Sequence, residues 1–165
     1  MQEATSFAPN YRVRMADADD TEALVRLINA AFAVEKPIIE GDRIDLERLS
    51  ALYHTGKFLL LEENGRPVGC VYAEVKQSGR GYIGLLGVEP DRQRSGLGRR
   101  MIEAAEQYLR AAGCQFADLR VVHVRAELQP IYEKLGYSVI GIAPIPDSIA
   151  LKIPSYFTVM SKDLR

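Results

Sequence analysis

Apolar and polar positions follow distinct rhythms along this chain, and the rhythms divide it into elements. Residues 11–15 alternate as a short strand. Asp19 and Glu22 form a capping box, after which Leu24, Val25, Ile28, Ala31 and Phe32 recur at helical spacing. A connector over residues 34–44 contains Pro37 and Gly41. Asp45 caps a second helix whose Leu46, Leu49 and Tyr53 share a face, and Gly56 stops it. Residues 58–61 and 68–75 are strand-like runs joined by Asn64-Gly65, a hairpin signal. A second hairpin around Ser78-Gly79 leads into a strand over residues 82–88. Pro90 ends it, because proline has no N–H for the ladder.

The clearest helical stripe comes next: Leu97, Met101, Ala105, Leu109 and Ala112, with Glu106 facing Arg110 and Gly113 closing the helix. A β-rich run covers residues 116–124. Leu128, Ile131, Tyr132 and Leu135 then make a short helix that stops at Gly136. Residues 137–142 and 157–160 are the last strands, separated by a loop holding Pro144, Pro146 and Pro154. Residues 1–10 lack such a rhythm and are expected to be a flexible tail before a single domain over residues 11–165. The order of elements implies an α/β (α+β) fold, a mixed sheet with helices on both faces.

Composition narrows the functional classes. The chain has 165 residues, enough to bury a core, and is 47% hydrophobic and 26% charged. A net charge of -1 gives no general attraction to nucleic acid. No apolar run approaches membrane-spanning length and the first ten residues lack a signal pattern, so a cytoplasmic protein without membrane contact is expected. Cys70 and Cys114 have neither metal nor redox spacing and are read as buried, reduced thiols. The only histidines, His54 and His123, form no ligand motif, so no metal is expected. No Gly-x-Ser-x-Gly elbow offers a serine nucleophile.

The candidate chemistry gathers at Gln93-Arg94-Ser95-Gly96-Leu97-Gly98, between a strand and a helix N-terminus. Backbone N–H groups and the helix dipole favour an anion there. Arg92, Arg94, Arg99 and Arg100 add a local excess of cation. A P-loop would need Lys-Ser/Thr where Arg99-Arg100 stands, and a Rossmann turn needs three glycines. The alternative is that two glycines only let the strand and the helix pack closely.

Leu86-Gly87-Val88-x-Pro90 followed by Gln93-x-x-Gly96-x-Gly98 resembles the acetyl-CoA signature of the GNAT acetyltransferase superfamily. Ile131-Tyr132-Glu133-Lys134-Leu135-Gly136-Tyr137 is similar to a second segment of that superfamily, and the order of elements agrees from Tyr11 to Leu164. Where many members carry Asn seven residues before the tyrosine, this chain has Arg125. Where many carry Ala four before it, this chain has Leu128, and Pro130 keeps the last helix from starting much before Glu127.

The resemblance implies the GNAT fold, a mostly antiparallel mixed sheet, and acetyl transfer from acetyl-CoA to an amine of a small molecule or peptide within a ternary complex. By it, backbone amides from Arg94 through Ser95, Gly96, Leu97 and Gly98 to Arg99 hold the diphosphate, with Gln93 shaping the turn. Gly84 and Gly87 mark a bulge or a close ligand approach. Leu86, Gly87 and Val88 offer an open strand edge to the pantetheine arm, and the Val88 N–H polarises the thioester carbonyl. Tyr132 is the candidate general acid, against the reading that it merely fills an apolar face. Glu74, His123 or water is the candidate base. Glu35, Glu40 and Asp42 in the connector are candidates to line the acceptor pocket, where Glu35 and Glu40 would attract a cationic amine beside an apolar wall of Pro37, Ile38 and Ile39. A non-catalytic acyl-CoA-binding module of the same fold is the alternative, and exposed edge strands allow a homodimer.

Overall fold

The computed structural model describes residues 5–8, 10–93 and 95–165, and it places eight strands in one sheet. In chain order these are β1 (Thr5–Ala8), β2 (Tyr11–Met15), β3 (Lys57–Glu63), β4 (Arg66–Val75), β5 (Arg80–Val88), β6 (Phe116–Val122), β7 (Ser138–Pro144) and β8 (Tyr156–Asp163). Their order across the sheet is β1-β2-β3-β4-β5-β6-β8-β7. Four α-helices accompany them: α1 (Thr21–Ala31), α2 (Leu46–Leu52), α3 (Leu97–Ala111) and α4 (Leu128–Lys134). Among the described residues only β5 and β6 pair in parallel, because α3 carries the chain across between them.

The unbroken apolar run in β3 shows why helices cover both faces. Phe58 and Leu60 join a core with α1 and α2, whereas Leu59 and Leu61 join the core under α3. A strand buried on two sides has no polar alternate positions. Both hairpin signals hold, with Asn64 and Gly65 at φ 51 and 79 and with Ser78 and Gly79 at φ 60 and 71. At the far side of the sheet, the connector between α1 and α2 meets the loop between β7 and β8. Glu40 N–H donates to Ala150 O (2.9 Å) and Lys152 N–H to Ile38 O (2.7 Å).

Three expectations are corrected. Thr5 and Ser6 lie opposite Val13 and Arg12, so the expected tail contributes a strand. Backbone pairing needs no hydrophobic rhythm, which is why the pattern hides it. The capping box is Asp17 with Asp20, not Asp19 with Glu22, and it opens a 3-10 turn before α1. Arg14 on β2 selects Asp20 by clamping both of its carboxylate oxygens at 2.7 and 2.8 Å. Glu106 does not face Arg110. It turns inward to accept from Tyr137 Oη (2.8 Å) and Lys162 Nζ (3.1 Å), while Arg110 donates to Leu164 O.

Candidate active site

β5 begins beside β6 and ends apart from it. The parallel pairs are Arg80 with Phe116, Gly81 with Ala117 and Tyr82 with Asp118, and none follows Tyr82. On its other edge β5 stays with β4 as far as Gly69 and Val88. Cys70 faces Gly87 and Tyr72 faces Gly84, so Leu85 and Leu86 oppose Val71 alone. This is a bulge, and Leu85 adopts φ 49 to make it, a left-handed conformation that costs of order 1 kcal/mol for a branched residue. Beyond the bulge the Glu89 N–H donates to Val68 O (2.9 Å), so alternation turns the backbone groups of Leu86 and Val88 toward the absent β6. They face a cleft of about 300 Å³.

The turn expected to bind an anion closes one end of that cleft. Gln93 Nε2 donates to Val88 O (3.0 Å) and ties the turn to β5, while Ser95 Oγ donates to Arg92 O (2.6 Å). Gly96 begins α3 at φ 81, and no side chain caps the helix. The first-turn amides of Leu97, Gly98 and Arg99 therefore lie at the positive end of a 15-residue helix. A Cβ at Gly96 would meet nothing within 4 Å, and one at Gly98 only Leu86 Cδ2 at 3.9 Å. Close packing thus explains neither glycine. Gly96 is required by its φ, and Gly98 leaves bare space on the cleft wall.

The arginines at this turn are less available than their density in the sequence implies. Arg92 pairs with Glu63 (2.7 Å) and Asp91 (3.1 Å), and its hydrogen bonds, with one from Tyr11, hold the Glu63 carboxyl at about 2. Arg99 pairs with Glu103 one turn along the exposed face of α3 (3.1 Å). Arg94 lies outside the described residues. Arg92 is accordingly a strut beneath the turn, and backbone amides supply the potential above it.

α4 forms the opposite wall. Tyr132 lines the cleft half-buried, its ring edge-on to Tyr137 with centroids 6.0 Å apart. Burial pushes its phenol up to about 12, against the pull of Arg125, so it keeps its proton at neutral pH. Arg125 also lines the cleft and pairs with the buried Glu35 at 3.0 Å. Two further guanidiniums share this cavity: Arg43, 5.6 Å from the Phe32 ring centroid, and Arg120, 5.9 Å from that of Phe157.

The structure does not bring the two candidate bases here. Glu74 lies away from the cleft, accepting from Tyr72 Oη (2.7 Å) and pairing with Lys76 (3.0 Å). Burial opposes its ionisation, but these partners outweigh it and hold the carboxyl below its ordinary range. His123 stacks on Tyr156 at 3.8 Å and its Nδ1 accepts the Tyr156 N–H (3.1 Å), beside a second cavity that adjoins the cleft across Val121, Val122 and Arg125. Glu40 and Asp42 are exposed and do not line the cleft. Among the described residues Glu35 is its only carboxylate, and that charge is committed to Arg125. Burial raises the Cys70 thiol to about 12 and lifts Cys114 as well, so neither is poised as a nucleophile. No three potential metal ligands gather among the described residues. Sequence reasoning missed Arg43 and Tyr82 as cleft residues. Arg120 carried a faint signal, as the one basic residue in β6, set between Leu119 and Val121.

Residues 21–137 match the family described as acetyltransferase (GNAT) family. A curated mycothiol acetyltransferase from Saccharopolyspora erythraea is 28% identical over 122 residues, covering 72% of this chain and 40% of its own length. Another, from Propionibacterium freudenreichii, is 31% identical over 137 residues, covering 76% of this chain and 44% of its own. The chain therefore spans less than half the length of these relatives. Among solved structures, the ribosomal-protein-S18-alanine N-acetyltransferase of Escherichia coli aligns with TM-score 0.73 and 19% identity, over 93% of this chain and 94% of that one. A Salmonella typhimurium protein solved with its cofactor acetyl-CoA aligns with TM-score 0.71 and 21% identity, over 94% and 95%. At such identities the structural likeness is one of fold.

Proposed function

Because the chain belongs to the acetyltransferase (GNAT) family, we propose that it is an acetyl-CoA-dependent N-acetyltransferase working by direct attack in a ternary complex. The observation that carries this reading is the stretch of β5 after Tyr82, which faces no strand on its β6 side and ends at the uncapped start of α3. The residues fit the co-substrate on two counts: bare amides at the α3 N-terminus suit a diphosphate, and an open strand edge suits the amides of a pantetheine arm.

When bound, acetyl-CoA supplies an activated acetyl thioester. The N–H groups of Leu97, Gly98 and Arg99 bind the diphosphate, with Arg94 and Ser95 in the same turn and Gln93 holding it to Val88. Leu86 and Val88 orient the arm along the open edge, with Gly87 between them paired to Cys70 of β4. The Val88 N–H donates to the carbonyl oxygen as negative charge grows there. Tyr132 holds a proton for the departing sulfur. Its raised pKa makes it a weaker acid than a free phenol, yet the same dry cleft also raises the basicity of a thiolate, so the two stay matched. With Glu35 committed to Arg125, the proton of an incoming ammonium leaves through water.

The relatives named for mycothiol favour a small-molecule acceptor over a peptide. Two buried free cysteines fit a cytoplasmic protein, and among the described residues no helix is long and apolar enough to cross a membrane. The exposed Val139, Ile140 and Ile142 of edge strand β7 favour a homodimer, which sedimentation checks. Calorimetric titration of acetyl-CoA, followed by CoA release with an amine panel, tests the activity. Tight binding with amine-stimulated release is expected. Binding without such release points instead to a non-catalytic acyl-CoA module.

A further inference from the structure

The cleft has two ends of unlike charge. It passes through the split between β5 and β6, from the α3 face of the sheet to the α1 face. Leu86 packs with the core under α3, while Leu85 and Tyr82 pack with the core under α1. On β6, Leu119 and Val121 join the α3-side core, so period-two alternation sends Arg120 to the α1 side. Arg43 sits there too, over the Phe32 ring that packs against the α1 core. Both guanidiniums line the same cleft as the half-buried Tyr82, and against the upward push of burial both lower the pKa of its phenol, as does Lys76, while Glu74 raises it.

Of the charged groups lining the cleft, three are guanidiniums, Arg43, Arg120 and Arg125, and one is a carboxylate, Glu35. Glu35 and Arg125 neutralise each other. Among the described residues no carboxylate lies within ion-pair distance of Arg43 or Arg120. Arg43 is half-buried, and burial pushes its pKa down although the Glu35 carboxylate pulls the other way. One carboxylate against three guanidiniums leaves a net positive charge at the end of the cleft away from the diphosphate turn, in a chain of net charge -1.

We infer that the acceptor is an acidic amine: a small molecule whose amine is accompanied by a carboxylate or phosphate, which Arg43 and Arg120 bind on the α1 side of the split. This rests on the acyl-transfer reading above and names its substrate class. A guanidinium fork matches the oxygens of either anion, and each lies within cation–π range of an aromatic ring, Arg43 of Phe32 and Arg120 of Phe157. The arrangement reverses the expectation that connector carboxylates attract a cationic amine. It selects instead for the anionic part of the acceptor.

Matched pairs test the inference: glycine, alanine and glutamate each against its α-carboxamide, and glucosamine 6-phosphate against glucosamine. Acetylation is read by CoA release and, independently, binding by calorimetry in the presence of CoA. The charged member of at least one class is expected to win by 10-fold or more, with the advantage shrinking at high salt. Arg43→Met is expected to bring that ratio near one with the KM for acetyl-CoA unchanged. Arg120→Gln, at a more exposed position, is expected to do the same in part and guards against a folding defect in the first variant. If acetyl-CoA binds but neutral members equal or beat their charged partners, or no charged member is acetylated or bound, the inference falls alone. If acetyl-CoA itself fails to bind, the underlying reading falls first.

Discussion

The two banks of the cleft are made of different material. On the α3 side the contacts on offer are backbone groups: Val88 N–H on a bulged strand and the first amides of an uncapped helix. On the α1 side they are the ends of long side chains, Arg43 and Arg120, reaching from a loop and a strand. Backbone donors are fixed by the ladder or helix that carries them and lose little further freedom when a ligand arrives. Each arginine gives up side-chain entropy of up to ~2 kcal/mol on being fixed. The stiff bank suits a ligand that does not change. The pliable bank suits one that differs from protein to protein.

Tyr132→Phe probes the seam between the banks. It is expected to lower kcat by about 100-fold with the KM for acetyl-CoA within twofold, as for loss of a general acid; unchanged turnover in steady-state assays removes the assignment. Glu35→Ala strikes the pliable bank. It leaves Arg125 without its buried partner and should cost ~2 kcal/mol in denaturant unfolding, less than the ~3–5 of a fully buried pair. Arg125 is 21% exposed and also reaches Glu127 at 3.4 Å, hence the discount. Acetyl-CoA affinity should stay put.

Gly98→Asp strikes the stiff bank with opposite signs in two measurements. The new carboxylate should weaken acetyl-CoA binding about 10-fold by repelling the diphosphate, yet stabilise the free protein through the helix dipole by up to ~1 kcal/mol, read as a higher melting temperature. A fall in both would mean that the residue matters only for packing. The smallest effect concerns the strut under the turn. Glu63 titrates at about 2 when folded, below the ordinary ~4.3, so its stabilisation is complete above the ordinary value. It is lost as pH falls through that value toward 2. Glu63→Gln should flatten this part of the acid-unfolding curve.

The stiff bank was legible in the sequence because its constraints are local. Pro90 ends the strand, Gly96 permits the left-handed turn, Gly98 leaves the cleft wall bare, and Gly84 with Gly87 marked the strand that bulges. Tyr132 was legible through its neighbours in α4. The pliable bank was not. Arg43 belongs to the cleft only because Phe32 and Tyr82, distant in sequence, come to lie beside it. Glu74 lies on its expected strand but is held by Tyr72 and Lys76, whereas β6 stops at Val122, so His123 falls in the turn beyond it and stacks on Tyr156. Arg125 was noted as unusual, while the partner that explains it stands 90 positions earlier.

Leu85 has a consequence for how this protein survives in a crowded solution. Its kink leaves an interior edge that no strand pairs among the described residues, the kind of seam along which chains add to one another and precipitate. The seam is safe because it opens into a slot of about 300 Å³ walled by α3 and α4. Such a slot admits a slender flexible thread and refuses another polypeptide with its side chains. What would be a hazard at the rim of a sheet becomes, in its middle, a socket.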